Sequence, residues 1–172
     1  MISKIFPIFV AIIFFIIFII FYKGLQNSNV YVPNTNIKKD IPVFKAKIFD
    51  TDYEINSKEI FKNEKFYLMN IWSSWCVPCK NEHPYLINLS KQQKIEIIGL
   101  NYKDNEENAK RFLQKFKSPY KTILSDKDGT IAIEWGAYGV PESYLIFNKK
   151  IIRKISGPID KKSLEQLKEL IQ

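Results

Sequence analysis

Phe66–Cys79, FYLMNIWSSWCVPC, is the stretch whose reading decides the fold. Phe66–Trp72 is a near-continuous apolar run, the pattern of a central strand buried on both faces, as in parallel sheets. It leads directly into Trp75-Cys76-Val77-Pro78-Cys79, which contains the only two cysteines of the chain. A helix is expected to follow, with Leu86 and Leu89 facing the core and Pro84 kinking it. Two sulfurs at this spacing can close a small disulfide ring and reopen it, the chemistry of thiol–disulfide exchange.

Other uses of the pair fit less well. Structural zinc takes four Cys or His ligands, and the chain offers two Cys and one His, His83, so no metal site is expected. A disulfide closing so short a loop constrains the unfolded chain very little, which argues against an inert staple. A strand running into a helix leaves free N–H groups and the positive end of the helix dipole at the cysteines, favouring a thiolate on the first of them. Cys76 is thus expected to be the exposed nucleophile and Cys79 the shielded resolving thiol. Val77 and Pro78 offer no donor to stabilise the thiolate further, which points toward a reductant rather than a strong oxidant.

Outward from this stretch, Val43–Phe49 and Tyr53–Ile55 read as a hairpin around Asp50-Thr51-Asp52. Ile95–Leu100 reads as the next strand. Asp104 with Glu107 reads as a capping box opening a helix that buries Ala109, Phe112, Leu113 and Phe116. Thr122–Leu124 is a short strand before a turn at Asp128-Gly129. Ser143–Phe147 and Lys150–Ile155 form a hairpin around Asn148-Lys149. Asp160 caps a last helix that buries Leu164, Leu167 and Ile171. The order β–α–β–α–β, then β–β–α, implies an α/β fold: a parallel sheet with an antiparallel edge and helices on both faces. Right-handed crossovers put the cysteines on a common rim of strand ends.

At the other end, Ile5–Tyr22 is 18 residues without a charge. As a helix it spans about 27 Å, close to the thickness of a bilayer's hydrocarbon core. Pro7 falls in its expected first turn, Lys4 and Lys23 mark its ends, and Tyr22 suits an interface. A cleaved signal peptide has a shorter apolar core and a small-residue cleavage site, neither of which is seen, so an uncleaved signal-anchor is expected. Residues 1–23 thus read as membrane anchor, Gly24–Ile41 as a polar tether broken by Pro33, and 42–172 as one folded domain. The net charge of +8 is scattered, with no basic block interleaved with aromatics, so no nucleic-acid partner is expected.

Two motifs carry a family resemblance. NIWSSWCVPCKNEHPYL, Asn70–Leu86, resembles the active-site region of membrane-anchored, extracytoplasmic thioredoxin-fold proteins. SDKDGTIAIEWGAYGVPESYLI, Ser125–Ile146, resembles the DsbE/CcmG type, the thiol:disulfide interchange proteins of cytochrome c biogenesis. The resemblance implies a thioredoxin-like fold with a central mixed sheet, an N-terminal hairpin and a central αβ insertion. It implies a redox-active Cys76–Cys79 disulfide with no further cofactor. Pro141, after Val140, would be the family's cis-proline opposite the disulfide. Glu82 and Glu142 match acidic positions near the active site; negative charge there raises a thiolate's pKa, and the alternative for each is a surface glutamate. Asn70 stands where cytoplasmic thioredoxin carries a buried acid. Trp75 would shape the docking surface, and Trp135 and Tyr138 either extend it or belong to the core. His83 reads as a partly exposed helix residue.

The partners implied by the resemblance are apocytochrome c or its maturation proteins, a membrane electron donor of the CcdA/DsbD kind, and the bilayer through Ile5–Tyr22. The implied location is the bacterial inner membrane, with the catalytic domain in the periplasm. The alternatives are a general extracytoplasmic thiol reductase or oxidant of the TlpA/ResA kind, and a non-catalytic apocytochrome-binding module.

Overall fold

The computed structural model describes residues 2–26, 39–62 and 64–171, the first and last turns of the leading helix by their backbone alone. The chain divides into two units, Met1–Pro33 and Asn34–Gln172.

Among the described residues, the first unit is the helix α1 (Ile2–Gln26). Its window Phe6–Lys23 has a mean hydropathy of 2.6 and none of its side chains is buried, so by length and composition it can cross a membrane. The helix begins three residues before the expected span and runs past it, which places Pro7 inside the helix rather than in its first turn.

The second unit is built around one eight-stranded mixed sheet. Its elements are β1 (Lys39–Asp40), β2 (Lys45–Ile48), β3 (Glu54–Asn56), α2 (Ser57–Ile60), β4 (Phe66–Trp72), α3 (Val77–Leu89), β5 (Ile95–Tyr102), α4 (Glu106–Phe116), β6 (Thr122–Asp126), α5 (Thr130–Glu134), β7 (Glu142–Phe147), β8 (Lys150–Ser156) and α6 (Lys161–Leu170). The strand order is β1-β8-β7-β4-β5-β6-β2-β3. β4 pairs in parallel with β5 and antiparallel with β7, and β5 pairs in parallel with β6. Thioredoxin-like topology follows: the βαβ unit β4–α3–β5 and the unit β7–β8–α6 meet at the sheet centre, with α4, β6 and α5 inserted between them.

Side chains alternate across β4, as a strand requires. Tyr67, Met69 and Ile71 face the cluster that includes Ile131, Ala132 and Trp135 of the α5 region. Leu68 packs with Leu86 and Leu89 of α3 and Leu164, Leu167 and Ile171 at the chain's end. Trp72, the last residue of β4, packs with Cys76, Cys79 and Ala109 and Phe112 of α4. The expected core residues of all three long helices are therefore in place. The hairpin turn at Asn148-Lys149 is present, with both residues at positive φ (50° and 59°). Asp160 caps α6 by accepting the Ser163 N–H at 2.7 Å.

Three expectations are corrected. The N-cap of α4 is Asn105, whose side chain accepts the Asn108 N–H at 3.0 Å. Asp104 lies one residue outside the helix and is engaged elsewhere. Between the Asp128-Gly129 turn and β7 there is a further short helix, α5, which begins after Gly129 at φ 83°. At the expected tether, residues 24–26 continue α1 and Lys39–Asp40 pair with β8, while 27–38 lie outside the described residues.

Candidate active site

The antiparallel register of β4 and β7 pairs Ile71 with Glu142. Pro141 therefore stands beside the end of β4, from which the cysteine loop departs. The Val140–Pro141 peptide is cis, as expected. Val140 packs against the cluster of Trp72, Cys76 and Cys79, so the two sequence motifs meet at the sulfurs.

Cys76 and Cys79 form a disulfide. Cys76 is the N-cap of α3, and its Sγ accepts the Cys79 N–H at 3.1 Å. One unpaired N–H of the helix start is thus directed at the first sulfur, where it favours negative charge. Pro78 lies within the first turn, where its missing N–H costs nothing. Cys76 is not exposed as expected: it is 4% accessible, against 2% for Cys79. Both cysteines are buried in this oxidised form, in a cluster with Trp72, Phe112 and Val140.

The loop before Cys76 is held from outside α3. Asp104 accepts from the Ser74 N–H, from the Ser74 hydroxyl at 2.7 Å, from Asn101 Nδ2 at 3.0 Å and from the Asn105 N–H at 2.8 Å. Ser73 donates its hydroxyl to the Tyr102 carbonyl. Trp75 donates its indole N–H to the Lys103 carbonyl at 3.1 Å and leaves 57% of its surface exposed.

Neither glutamate singled out in the sequence is a surface residue. Glu82 lies one turn after Cys79 on α3 and is fully buried. Its Oε1 accepts from Asn70 Nδ2 at 2.9 Å, and its Oε2 accepts the Ile159 N–H at 2.8 Å. Burial pushes its pKa up to about 7, against the opposing pull of these two donors. Asn70 completes its own hydrogen bonds by donating to Ser143 Oγ at 3.0 Å and accepting from the Tyr120 hydroxyl at 2.8 Å. Burial and the nearby Glu82 charge hold the Tyr120 phenol well above its ordinary pKa, so it remains a donor. Tyr120 comes this close because β5 carries Gly99: a Cβ there would lie 2.9 Å from the Tyr120 ring and from Trp72 Nε1.

Glu142 is buried in the first position of β7. Its Oε1 accepts the Tyr138 N–H at 3.1 Å, and its Oε2 accepts from the Tyr144 hydroxyl at 2.9 Å. The same Oε2 lies 2.8 Å from Nζ of Lys154, which is itself buried. Lys154 also donates to the Gly136 carbonyl at 2.7 Å and lies 4.5 Å from the Tyr138 ring centroid. One ammonium thus fixes both ends of the segment leading to Pro141. Lys154 carried no signal in the sequence, where it is one lysine among many; its position opposite Tyr144 in the β7–β8 register is what would have singled it out.

The remaining candidates separate. Trp135 is a core residue, whereas Tyr138 is 77% exposed beside Pro141. His83 is buried rather than partly exposed: its Nε2 donates to the Lys117 carbonyl at 2.7 Å and its ring meets Phe112 edge-on. Burial holds its pKa below the ordinary value, which keeps it neutral and structural.

Comparison with known proteins identifies the family. The Redoxin family model matches residues 37–171. Thiol:disulfide interchange protein DsbE of Pseudomonas aeruginosa is 37% identical over 163 residues, covering 93% of this chain and 89% of that protein. Thiol:disulfide interchange protein CycY of Rhizobium leguminosarum bv. viciae is 45% identical over 103 residues, 59% of this chain and 55% of that protein, so this match spans little more than half of CycY. A solved Chlorobium tepidum chain described as a thiol:disulfide interchange protein DsbE superposes with a TM-score of 0.67 at 21% identity, covering 80% of this chain and 96% of that one. The last match speaks for the thioredoxin-like fold, the family model and the Pseudomonas aeruginosa DsbE for the chemistry. The chain is a thiol:disulfide oxidoreductase that belongs to the Redoxin family, among the interchange proteins of the DsbE type.

Proposed function

We propose that this protein is a membrane-anchored reductant whose Cys76–Cys79 pair reduces disulfides in apocytochrome c, or in its maturation partners, before haem attachment. The observation that carries this reading is the Cys76–Cys79 disulfide at the start of α3, packed against Val140 of the cis-proline loop. α1 anchors the chain in the bacterial inner membrane and the folded unit works on the periplasmic side, where substrate disulfides form. A membrane donor of the CcdA/DsbD kind returns the pair to the dithiol.

The reaction balances in two exchanges. The Cys76 thiolate attacks one sulfur of the substrate disulfide and displaces the other as a thiolate, giving a mixed disulfide. Cys79, losing its proton, then attacks Cys76 Sγ. The substrate leaves as a dithiol with two electrons gained, and the enzyme is left with the disulfide of this structure. Glu82, with a pKa near 7, is the group suited to take the Cys79 proton and return it. Asn70 holds that carboxylate in place, and Glu142 orders the Val140–Pro141 loop on which the substrate backbone pairs in β-like fashion. Trp75 and Pro78 shape the surface over Cys76.

The test is covalent trapping. In Cys79→Ala the mixed disulfide cannot be resolved. The expected product is an adduct between Cys76 and a c-type apocytochrome or a cytochrome maturation factor, identified by mass spectrometry. Adducts only with unrelated secreted proteins would instead favour a general extracytoplasmic thiol reductase. An unchanged level of c-type cytochrome in Cys76→Ser cells would favour a binding module that needs no thiol.

A further inference from the structure

We propose that the groove between the Ser74–Trp75 turn and α4 selects substrate polypeptides that carry acidic residues beside their reactive cysteine. The inference deepens the exchange reading above and rests on it.

The groove has a volume of about 290 Å³ and is lined by Ser74, Trp75, Asn108, Arg111, Phe112 and Lys115. It reaches the reacting atoms from the side: Trp75 precedes Cys76, and Phe112 belongs to the cluster that encloses both sulfurs. A chain whose cysteine engages Cys76 therefore lays a neighbouring residue in or across this groove.

Its charge is one-sided. Arg111 and Lys115 stand at i, i+4 on α4, on the same helical face. Among the described residues neither has a carboxylate partner. Arg111 reaches only the Asn108 side chain, and Lys115 lies 5.6 Å from the centroid of the Phe116 ring. Lys80, from α3, lies 5.2 Å from the centroid of the same ring, also without a carboxylate. Two cations from two helices thus share one aromatic ring with no anion between them. Lys110, on the same helix, shows the contrast: it meets Asp50 at 2.5 Å, Glu107 at 3.4 Å and Glu106 at 3.5 Å. The acids of α4 are gathered on the Lys110 side. Asp104, next to the groove in the chain, keeps its charge, but its oxygens are turned to four neutral donors and among the described residues it pairs with neither Arg111 nor Lys115.

An uncompensated positive patch beside a reactive centre attracts and orients anionic segments. The exposed surfaces of Trp75, Val77 and Tyr138 around the disulfide add apolar contact. The combination fits an extended polypeptide bearing Asp or Glu close to its cysteine, with the carboxylates held by Arg111 and Lys115.

The experiment uses the full chain, reduced, in a zwitterionic detergent. It is mixed with two cystine peptides identical except that Asp in one replaces Lys in the other on both sides of the cysteine. Each rate is divided by that peptide's rate with dithiothreitol, whose attacking thiolate carries the same charge as that of Cys76, which removes the peptides' own reactivity. At about 0.01 M ionic strength, where the Debye length is about 30 Å, the Asp peptide is expected to react about five- to tenfold faster than the Lys peptide. The preference should fall to within about twofold near 1 M salt, where screening is complete within about 3 Å, and equally in Arg111→Gln/Lys115→Gln. Lys168→Gln, which removes a lysine paired with Glu165 on α6, is expected to leave the preference intact. Equal rates for the two peptides, or a preference that survives the double variant, overturns the proposal while leaving disulfide reduction standing. Failure to reduce either peptide, together with failure on a small neutral disulfide, removes the exchange reading and this inference with it.

Discussion

Glu82 and Glu142 are both buried and both accept from a backbone N–H, yet they are stabilised in different ways. Glu142 faces an ammonium at 2.8 Å and a phenol, and the ion pair is closed off from water. Among the described residues Glu82 faces no cation; an amide and a backbone N–H are its donors, and burial pushes its pKa up to about 7. An opposite charge fixes a buried carboxylate in place, whereas a dry site with only neutral donors raises its pKa. Glu142 is thus tied into the segment before Pro141, and Glu82 is a buried carboxyl with its pKa raised to about 7.

The sharpest way to break this contrast is at Lys154. Lys154→Met strands a buried carboxylate and is expected to cost about 3–5 kcal/mol of stability in urea unfolding. Adding Glu142→Gln should recover most of that loss; if the double variant stays as unstable as the single, the lysine acts through packing and the charge argument fails.

Glu82→Gln is expected to act with the opposite sign, and only above mildly acidic pH. Because the folded-state pKa of Glu82 is raised from 4.5 to about 7, folding takes up a proton on this group between those values. Its stabilising share is complete below about pH 4.5 and is lost as the pH rises through 7, amounting to roughly 3 kcal/mol at about 1.36 kcal/mol per unit. The Gln variant escapes that loss. With the disulfide kept oxidised, its stability relative to the wild-type chain should therefore climb from pH 4.5 to 8. A gap that stays constant with pH would mean that Glu82 does not titrate in this range.

Tyr120→Phe is the mildest probe. It removes the hydroxyl donated to Asn70 and is expected to cost about 1 kcal/mol. A much larger loss would show that the Asn70–Glu82 network depends on its outermost member.

What the sequence revealed divides along the same physical lines. β4 was legible to the residue because seven consecutive side chains are buried or nearly so, and a strand buried on both faces leaves a continuous apolar run. The Asn148-Lys149 turn and the Asp160 cap were legible because their chemistry is local. Asp104 was misread because a cap and a clasp demand the same side chain: its oxygens went to Ser74, thirty residues away in sequence, and Asn105 took the helix. The burial of Glu82, Glu142 and His83, and the importance of Lys154 and Tyr120, depend on partners brought together only by the sheet. Asn70 and Ser143, for instance, are 73 residues apart in the chain. The cysteine pair named the chemistry, but the proton inventory around it is a property of the folded core.

Lys154 has one more consequence. Among the described residues, β1 covers only the Lys150–Ile151 end of β8, so the rest of β8 is a sheet edge with backbone groups free to pair with another chain. Inward-pointing charge is one of the ways natural edges resist such pairing, because a second strand stacked there would have to accommodate the same buried ammonium and its carboxylate. The residue that fixes the segment before Pro141 also makes this edge a poor template for aggregation.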